Sequence, residues 1–184
     1  DPPFDTEYIY TTYVLDLAES SNVLVINSPQ SLRNFNEKVS ITQFPECAPP
    51  SLVTSSIENL KNFLGQHKKI VVKPLDSMGG KSIFVITKDD LNANSILETI
   101  TNENSVSVMA QLYIPEIKNG DKRIHLINGN HADVLLARIP LEIDNRGNLD
   151  AGAQAKTQTL SENDKHICNR IGPELNARGV FFAG

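Results

Sequence analysis

Lys73 sits inside the apolar run Ile70-Val71-Val72 with Leu75 beyond it, and the adjacent glycines Gly79 and Gly80 follow shortly after. The apolar run reads as a strand buried on both faces. A lysine there needs an anionic partner, the loss of its proton, or a route to water. Pro74 lacks an N–H and holds Lys73 extended, which puts the lysine where the strand opens into a loop. Gly79 and Gly80 permit positive φ and close backbone approach, so successive N–H groups can converge on an anion such as phosphate. Ile83-Phe84-Val85-Ile86 then resumes a strand, so the unit is strand, glycine loop, strand, unlike the phosphate loops that lead into a helix. A glycine hairpin carrying a solvated lysine fits the same residues, and the choice between the two belongs to the rest of the chain.

A second set of charges lies on a hairpin. Asn128-Gly129 between "DKRIHLI" and "NHADVLLARIP" predicts a two-residue type I′ turn. With Ile127 opposite Asn130, Arg123 falls opposite Val134, and alternation puts Asp121, Arg123 and Arg138 on one face. At about 3.3 Å per residue the two arginines are then anchored roughly 13 Å apart. That span suits a long anionic ligand, although solvated sheet charges show the same pattern. Cys47 and Cys168 are far apart in sequence and lack metal-ligand spacing, so both read as reduced thiols. His166 and Cys168 ride on the last helix, where packing or solvent accounts for them.

The elements that must position these residues follow from periodicity. A helix is expected over Thr6–Ala18, with Ile9, Tyr13 and Leu17 in its stripe, then a short buried strand at Val23–Ile26. Ser31 is expected to cap a second helix bearing Leu32, Phe35 and Val39, and Pro45, Pro49 and Pro50 mark a boundary. Next come a strand near Leu52-Val53, a helix at Ile57–Leu64, the Lys73 and Phe84 strands, a helix at Leu91–Ile100 and a strand at Val106–Leu112. Together they form a compact α/β subdomain with an antiparallel core. The polar stretch from Leu141 to Thr159, with Gly147 and Gly152 and no clear period, predicts a mobile lid. Ser161 with Asp164 forms a capping box for a last helix striped by Ile167, Ile171 and Leu175 and stopped at Gly179. The 184 residues are 40% hydrophobic and 21% charged, ordinary for a soluble globular protein. A net charge of −5 argues against a generic nucleic-acid or anionic-membrane binder, and no apolar run is long enough to span a bilayer. The opening at Asp1 and the close on "GVFFAG" read as cuts through a longer protein.

The segments "DPPFDTEYIY", "NSPQSLRNFNEK", "KPLDSMGGKSIF", "MAQLYIP", "NGDKRIHLINGN", "LARIP", "RGNLDAG" and "RIGPELNARG" together resemble the prokaryotic-type glutathione synthetases, a family of ATP-grasp carboxylate–amine ligases. The resemblance runs in family order across nearly the whole chain. It implies an α/β (α+β) ATP-grasp fold: residues 1–44 end an N-terminal substrate domain, 45–112 form the antiparallel lid subdomain, and 113–184 form part of the C-terminal subdomain, with the mobile loop 141–159. The implied reaction joins γ-glutamylcysteine to glycine by way of an acyl phosphate made with ATP. By the same resemblance Lys38 and Lys73 reach the ATP phosphates and Gly79-Gly80 close over them. Gln111, Leu112, Tyr113 and Ile114 form the adenine hinge, with Asp121 near the ribose or phosphate. Arg123 and Arg138 serve the phosphate and dipeptide, and Arg146 and Asn148 belong to the lid. Ala153-Gln154-Ala155 departs from the glycine-rich, arginine-containing lid end of the family. The Mg²⁺ ligands are expected beyond Gly184, so no metal ligand is assigned here and this piece alone is expected to be inactive. A cytoplasmic homo-oligomer, a tetramer, without nucleic-acid or membrane partners, is implied as well. The alternatives are a related ATP-grasp ligase or an ATP-binding module without turnover.

Overall fold

The structure, a computed structural model, describes residues 4–140 and 152–184. Arg146, Asn148 and most of the expected lid lie outside the described residues. Two helices open the chain, α1 (Thr6–Ser20) and α2 (Pro29–Asn34). The chain divides into two compact units, one built on Asn36–Ile114 and the other on Asp5–Phe35 with Pro115–Gly184.

The first unit is a four-stranded antiparallel sheet made of β1 (Ser51–Thr54), β2 (Lys69–Pro74), β3 (Phe84–Thr87) and β4 (Val108–Leu112), in the order β1-β4-β2-β3. Two helices, α3 (Ile57–His67) and α4 (Ala93–Ile100), cover one face. Ser56 caps α3 by accepting the Asn59 N–H, and the i, i+4 pair Leu60 and Leu64 then faces the sheet. The core joins these leucines and Leu97 to Ile70, Val72, Ile86, Val108 and Ala110. The central strand β4 is buried on both faces, whereas along β2 burial alternates. Ile70 and Val72 are accordingly buried, while Lys69, Val71 and Lys73 occupy the other face and are only partly covered. The expectation of a strand buried on both faces is thereby corrected: Val71 made the run look continuous, but it belongs to the second face, opposite Gln111 and Val85. Helix α4 starts at Ala93, later than expected, because a turn over Asp90 and Asn92 precedes it and leaves Leu91 exposed.

The second unit carries two three-stranded antiparallel sheets. One orders β5 (Asp121–Arg123), β8 (Val134–Ile139) and β9 (Gln154–Thr159) as β5-β8-β9, and the other orders β6 (Leu126–Ile127), β7 (Asn130–His131) and β10 (Phe182–Ala183) as β10-β6-β7. The capping box at Ser161 and Asp164 starts α5 (Glu162–Ala177) as expected. Leu126, Leu135, Ala137, Leu160 and Cys168 form the core, with Ile171 and Leu175 packed against it. Asn128 and Gly129 both have positive φ, as a type I′ turn requires, and Ile127 pairs with Asn130 as predicted.

Three expectations fail in this unit. Val23, Leu24 and Ile26 form no strand and are exposed, and Tyr13 and Leu17 of α1 are exposed as well. Apolar type alone suggested burial there. Ser31 does not cap a helix: Pro29 at the first turn starts α2 after Ser28, and the Ser31 hydroxyl donates to the Arg178 carbonyl instead. Val39 falls in a separate 3-10 turn, Val39–Gln43. Finally, the end of the expected lid is a strand: β9 pairs along the whole of β8. Five of its six residues are polar, Ala155 being the exception, and all are exposed, so they carry no two-residue period to read.

Candidate functional site

In the first unit, Lys73 lies on the face of β2 away from α3 and α4, opposite Met109 on β4. The Lys38 side chain, only 12% exposed, donates to the Ser77 carbonyl at 2.5 Å and to Glu37 Oε1 at 2.6 Å. Asn36 pins this segment to the loop leaving β2. Its Nδ2 donates to the Leu75 carbonyl at 3.0 Å, and its Oδ1 accepts the N–H groups of Lys38 and Val39, each at 3.0 Å. Burial pushes the Lys73 pKa below the ordinary lysine value, the charge of Lys38 pushes it further, and Glu37 partly offsets both. Lys38 and Glu37 thus both act on Lys73, and the charge of Lys38 outweighs that of Glu37, a balance that favours an added anion. Gly79 and Gly80 both have positive φ, and a Cβ at Gly79 would meet nothing within 4 Å, so the backbone of this loop is open to a ligand.

The expected hinge, Gln111–Ile114, closes the other end of this face. The Lys69 ammonium lies 3.8 Å from the centre of the Tyr113 ring, and the Lys69 carbonyl accepts the Tyr113 N–H at 3.2 Å. The Leu112 N–H is bonded to the Pro50 carbonyl at 3.0 Å, so the N–H groups of Leu112 and Tyr113 are both engaged within the unit. Between the ends, Val71 lies opposite Gln111, whose side-chain amide donates to Ser51 Oγ at 2.8 Å. Glu37, Asn36 and Lys69 escaped the sequence reading. Adjacency to Lys38 was the only signal for the first two, and nothing local marks Lys69.

In the second unit, Asp121 stands directly opposite Arg138 and binds it through two bonds, Nε to Oδ1 at 2.7 Å and Nη2 to Oδ2 at 2.6 Å. Arg123 is opposite Leu136, not Val134. The hairpin ladder does not run through: β6 and β7 belong to one sheet and β5 and β8 to the other, with the Ala132 N–H on the His125 carbonyl at the changeover. The register thus shifts by two residues. An even shift preserves the face, so Asp121, Arg123 and Arg138 still point the same way. The separation does change: Arg123 and Arg138 are two positions apart along the sheet, roughly 7 Å instead of 13 Å. Ala155 of β9 stands on the other side of Arg138. The departure at Ala153-Gln154-Ala155 therefore includes the arginine's immediate neighbour. Among the described residues no three His, Cys, Asp or Glu side chains gather as a metal site. Cys168 is buried with its thiol pKa raised by burial and by Asp164, and His166 is exposed.

Solved structures share this architecture. It aligns with D-cycloserine synthetase at a TM-score of 0.71 over 96% of this chain and 62% of that one, at 14% identity. It aligns with D-alanyl-alanine synthetase A from Vibrio cholerae at 0.61 over 91% and 55%, at 16% identity. An ATP-grasp ligase complexed with a minimal precursor, Mg and ADP gives 0.62 over 93% and 50%, at 17% identity. The fold is that of the ATP-grasp ligases. Within that class, residues 37–184 match the ATP-grasp domain of prokaryotic glutathione synthetase and residues 1–33 match its N-terminal domain, so the chain belongs to the prokaryotic glutathione synthetase family. It is 50% identical over its whole length to the glutathione synthetases of Pseudomonas aeruginosa and Nitrosomonas europaea. The chain spans 58% of the length of each.

Proposed function

We propose that this chain carries the nucleotide-binding and carboxylate-activating residues of an ATP-dependent ligase that joins γ-glutamylcysteine to glycine. The observation that carries this reading is Lys73, whose charge is disfavoured by burial and by Lys38, on the strand leading into an open glycine loop to which Lys38 is bonded at the Ser77 carbonyl. A polyphosphate removes that penalty. In this reading Lys38 and Lys73 hold the phosphates, the Gly79-Gly80 backbone closes on them, and Gln111, Leu112, Tyr113 and Ile114 take the adenine. Four residues of β2 separate the Tyr113 end from Lys73, roughly 13 Å, a length that suits a nucleotide lying from base to phosphates.

In the reaction a carboxylate oxygen of γ-glutamylcysteine attacks the γ-phosphorus and ADP departs with the bonding pair. The glycine amine then attacks the acyl carbon, phosphate leaves, and the amine loses its proton. Arg123 and Arg138 neutralise the phosphoryl oxygens, with Arg138 kept in orientation by its two bonds to Asp121. Arg146 and Asn148 are assigned to the lid by family resemblance. Mg²⁺, when bound with the nucleotide, supplies further neutralisation at the phosphates. Residues 45–112 form the nucleotide lid subdomain of such an enzyme and 113–184 part of its C-terminal subdomain. A cytoplasmic homo-oligomer completes the proposal; no described helix is long and apolar enough to cross a membrane.

Calorimetric titration of the chain with ATP tests the carrying observation. Lys38→Ala and Lys73→Ala should each weaken binding at least about tenfold, the loss expected for one charge-assisted phosphate contact. Wild-type affinity in Lys73→Ala would remove the phosphate assignment.

A further inference from the structure

Strand β5 has three residues, and alternation turns Asp121 and Arg123 to one face and Lys122 to the other. Lys122 lies opposite Ala137, which belongs to the core beneath α5. From there its ammonium reaches the first turn of α5 and donates to Asp164 Oδ2 at 2.7 Å. The same oxygen accepts the Ser161 N–H at 2.8 Å and the Ser161 hydroxyl at 2.6 Å. One carboxylate thus joins the capping box of a helix to the back of a strand. Asp164 is 8% exposed; burial alone would raise its pKa, but the hydrogen bonds from Lys122 and Ser161 and the charge of Lys122 hold it below the ordinary carboxylate value. A capping box accounts for the Ser161 bonds but not for Lys122. The strand, for its part, needs an anchor: among the described residues β5 is a short edge strand bonded to β8 alone.

We propose that Lys122 and Asp164 are positioning residues whose ion pair clamps β5 to the start of α5, and so fixes Asp121, with it Arg138, and Arg123 for phosphate. This rests on the nucleotide reading above. The Lys122 side chain is 42% exposed, and an ion pair of that kind adds little to global stability. Breaking it should therefore leave the fold standing and appear in the geometry of the arginines.

The test compares the wild-type chain with Lys122→Met and Lys122→Arg in two measurements: hydrogen exchange at the Arg138 Nε–H by NMR, and the ratio of ATP to AMP affinity by calorimetry. Lys122→Met should exchange at Arg138 at least about tenfold faster and lose about tenfold of the preference for ATP, as expected when a supporting contact is removed and a bound group is misplaced. Lys122→Arg should restore both. Wild-type exchange at Arg138 in Lys122→Met would overturn the clamp. A wild-type chain with no preference for ATP over AMP would count against the nucleotide reading, while the exchange comparison still decides the clamp. Should Lys122→Met not fold, Asp164→Asn, which keeps an acceptor for the Ser161 N–H, carries the same comparison.

Discussion

Burial and the nearby Lys38 disfavour the charged form of Lys73 in the folded chain, and the sign of the resulting pH dependence is measurable. Its folded-state pKa lies below the unfolded one, through burial first and Lys38 second. Below the folded-state pKa the lysine is protonated in both states and the full penalty applies. Between the two pKa values the unfolded chain holds the proton and the folded chain does not, so stability rises with pH across that alkaline window. The expected outcome is that Lys73→Met raises the melting temperature without ligand, flattens this alkaline rise, and reduces the stabilisation by ATP expected of the wild type. Scanning calorimetry from neutral to alkaline pH, with and without ATP, checks all three. A variant that melts lower and still responds to ATP would show Lys73 to be structural. Arg138→Lys tests the other charge cluster: a cation remains near Asp121 but the two-point contact is lost, so the nucleotide-dependent activity of the complete enzyme should fall while the melting temperature moves by a few degrees at most. Unfolding of that variant would favour a structural role for the pair. Lys73, Asp121, Arg123 and Arg138 were legible because a charge in an apolar or alternating pattern is conspicuous. Glu37 and Asn36 were not, because the tertiary fold alone brings them to the loop after β2.

The elements were legible where local chemistry sets them. The Asn128-Gly129 turn and the Ser161–Asp164 box appear as read, since φ preference and capping are properties of a few neighbouring residues. The shift between β6–β7 and β5–β8 was hidden, because a ladder that changes sheets leaves no mark on the alternation when the slip is even. Strand β9 was hidden by having no apolar face. One approach between elements is especially unforgiving. The backbone of Gly129 lies against Gly172 in α5, and a Cβ at Gly172 would collide with the Gly129 carbonyl. Gly172→Ala improves helix propensity yet must push the hairpin away, so it should destabilise by about 1–3 kcal/mol, as overpacking does. Urea unfolding reads this directly. An unchanged or raised midpoint would mean that the hairpin moves freely and that the approach is not a constraint.

At the scale of the whole molecule, the described residues form two cores, one under α3 and α4 and one under α5, and each unit carries its own charged cluster on the sheet face away from its helices. The net charge of −5 leaves these clusters as local exceptions, which fits small anionic substrates better than a polyanion surface. The fold class was legible from the order of motifs. The exposure of Tyr13, Leu17 and Leu24 was not, because sequence reports apolar character and leaves open what covers it. The proposed function makes these residues part of a ligase coupling ATP to γ-glutamylcysteine and glycine. The most direct measurement replaces the matching segment of the Pseudomonas aeruginosa relative with this chain and follows ADP and glutathione together by mass spectrometry. The expected result is one ADP per glutathione, no glutathione when ATP or either amino substrate is omitted, and at least about a hundredfold loss of turnover with Lys73→Ala. A folded replacement that consumes ATP without forming glutathione, or one in which Lys73→Ala forms it at the parent rate, would contradict the account.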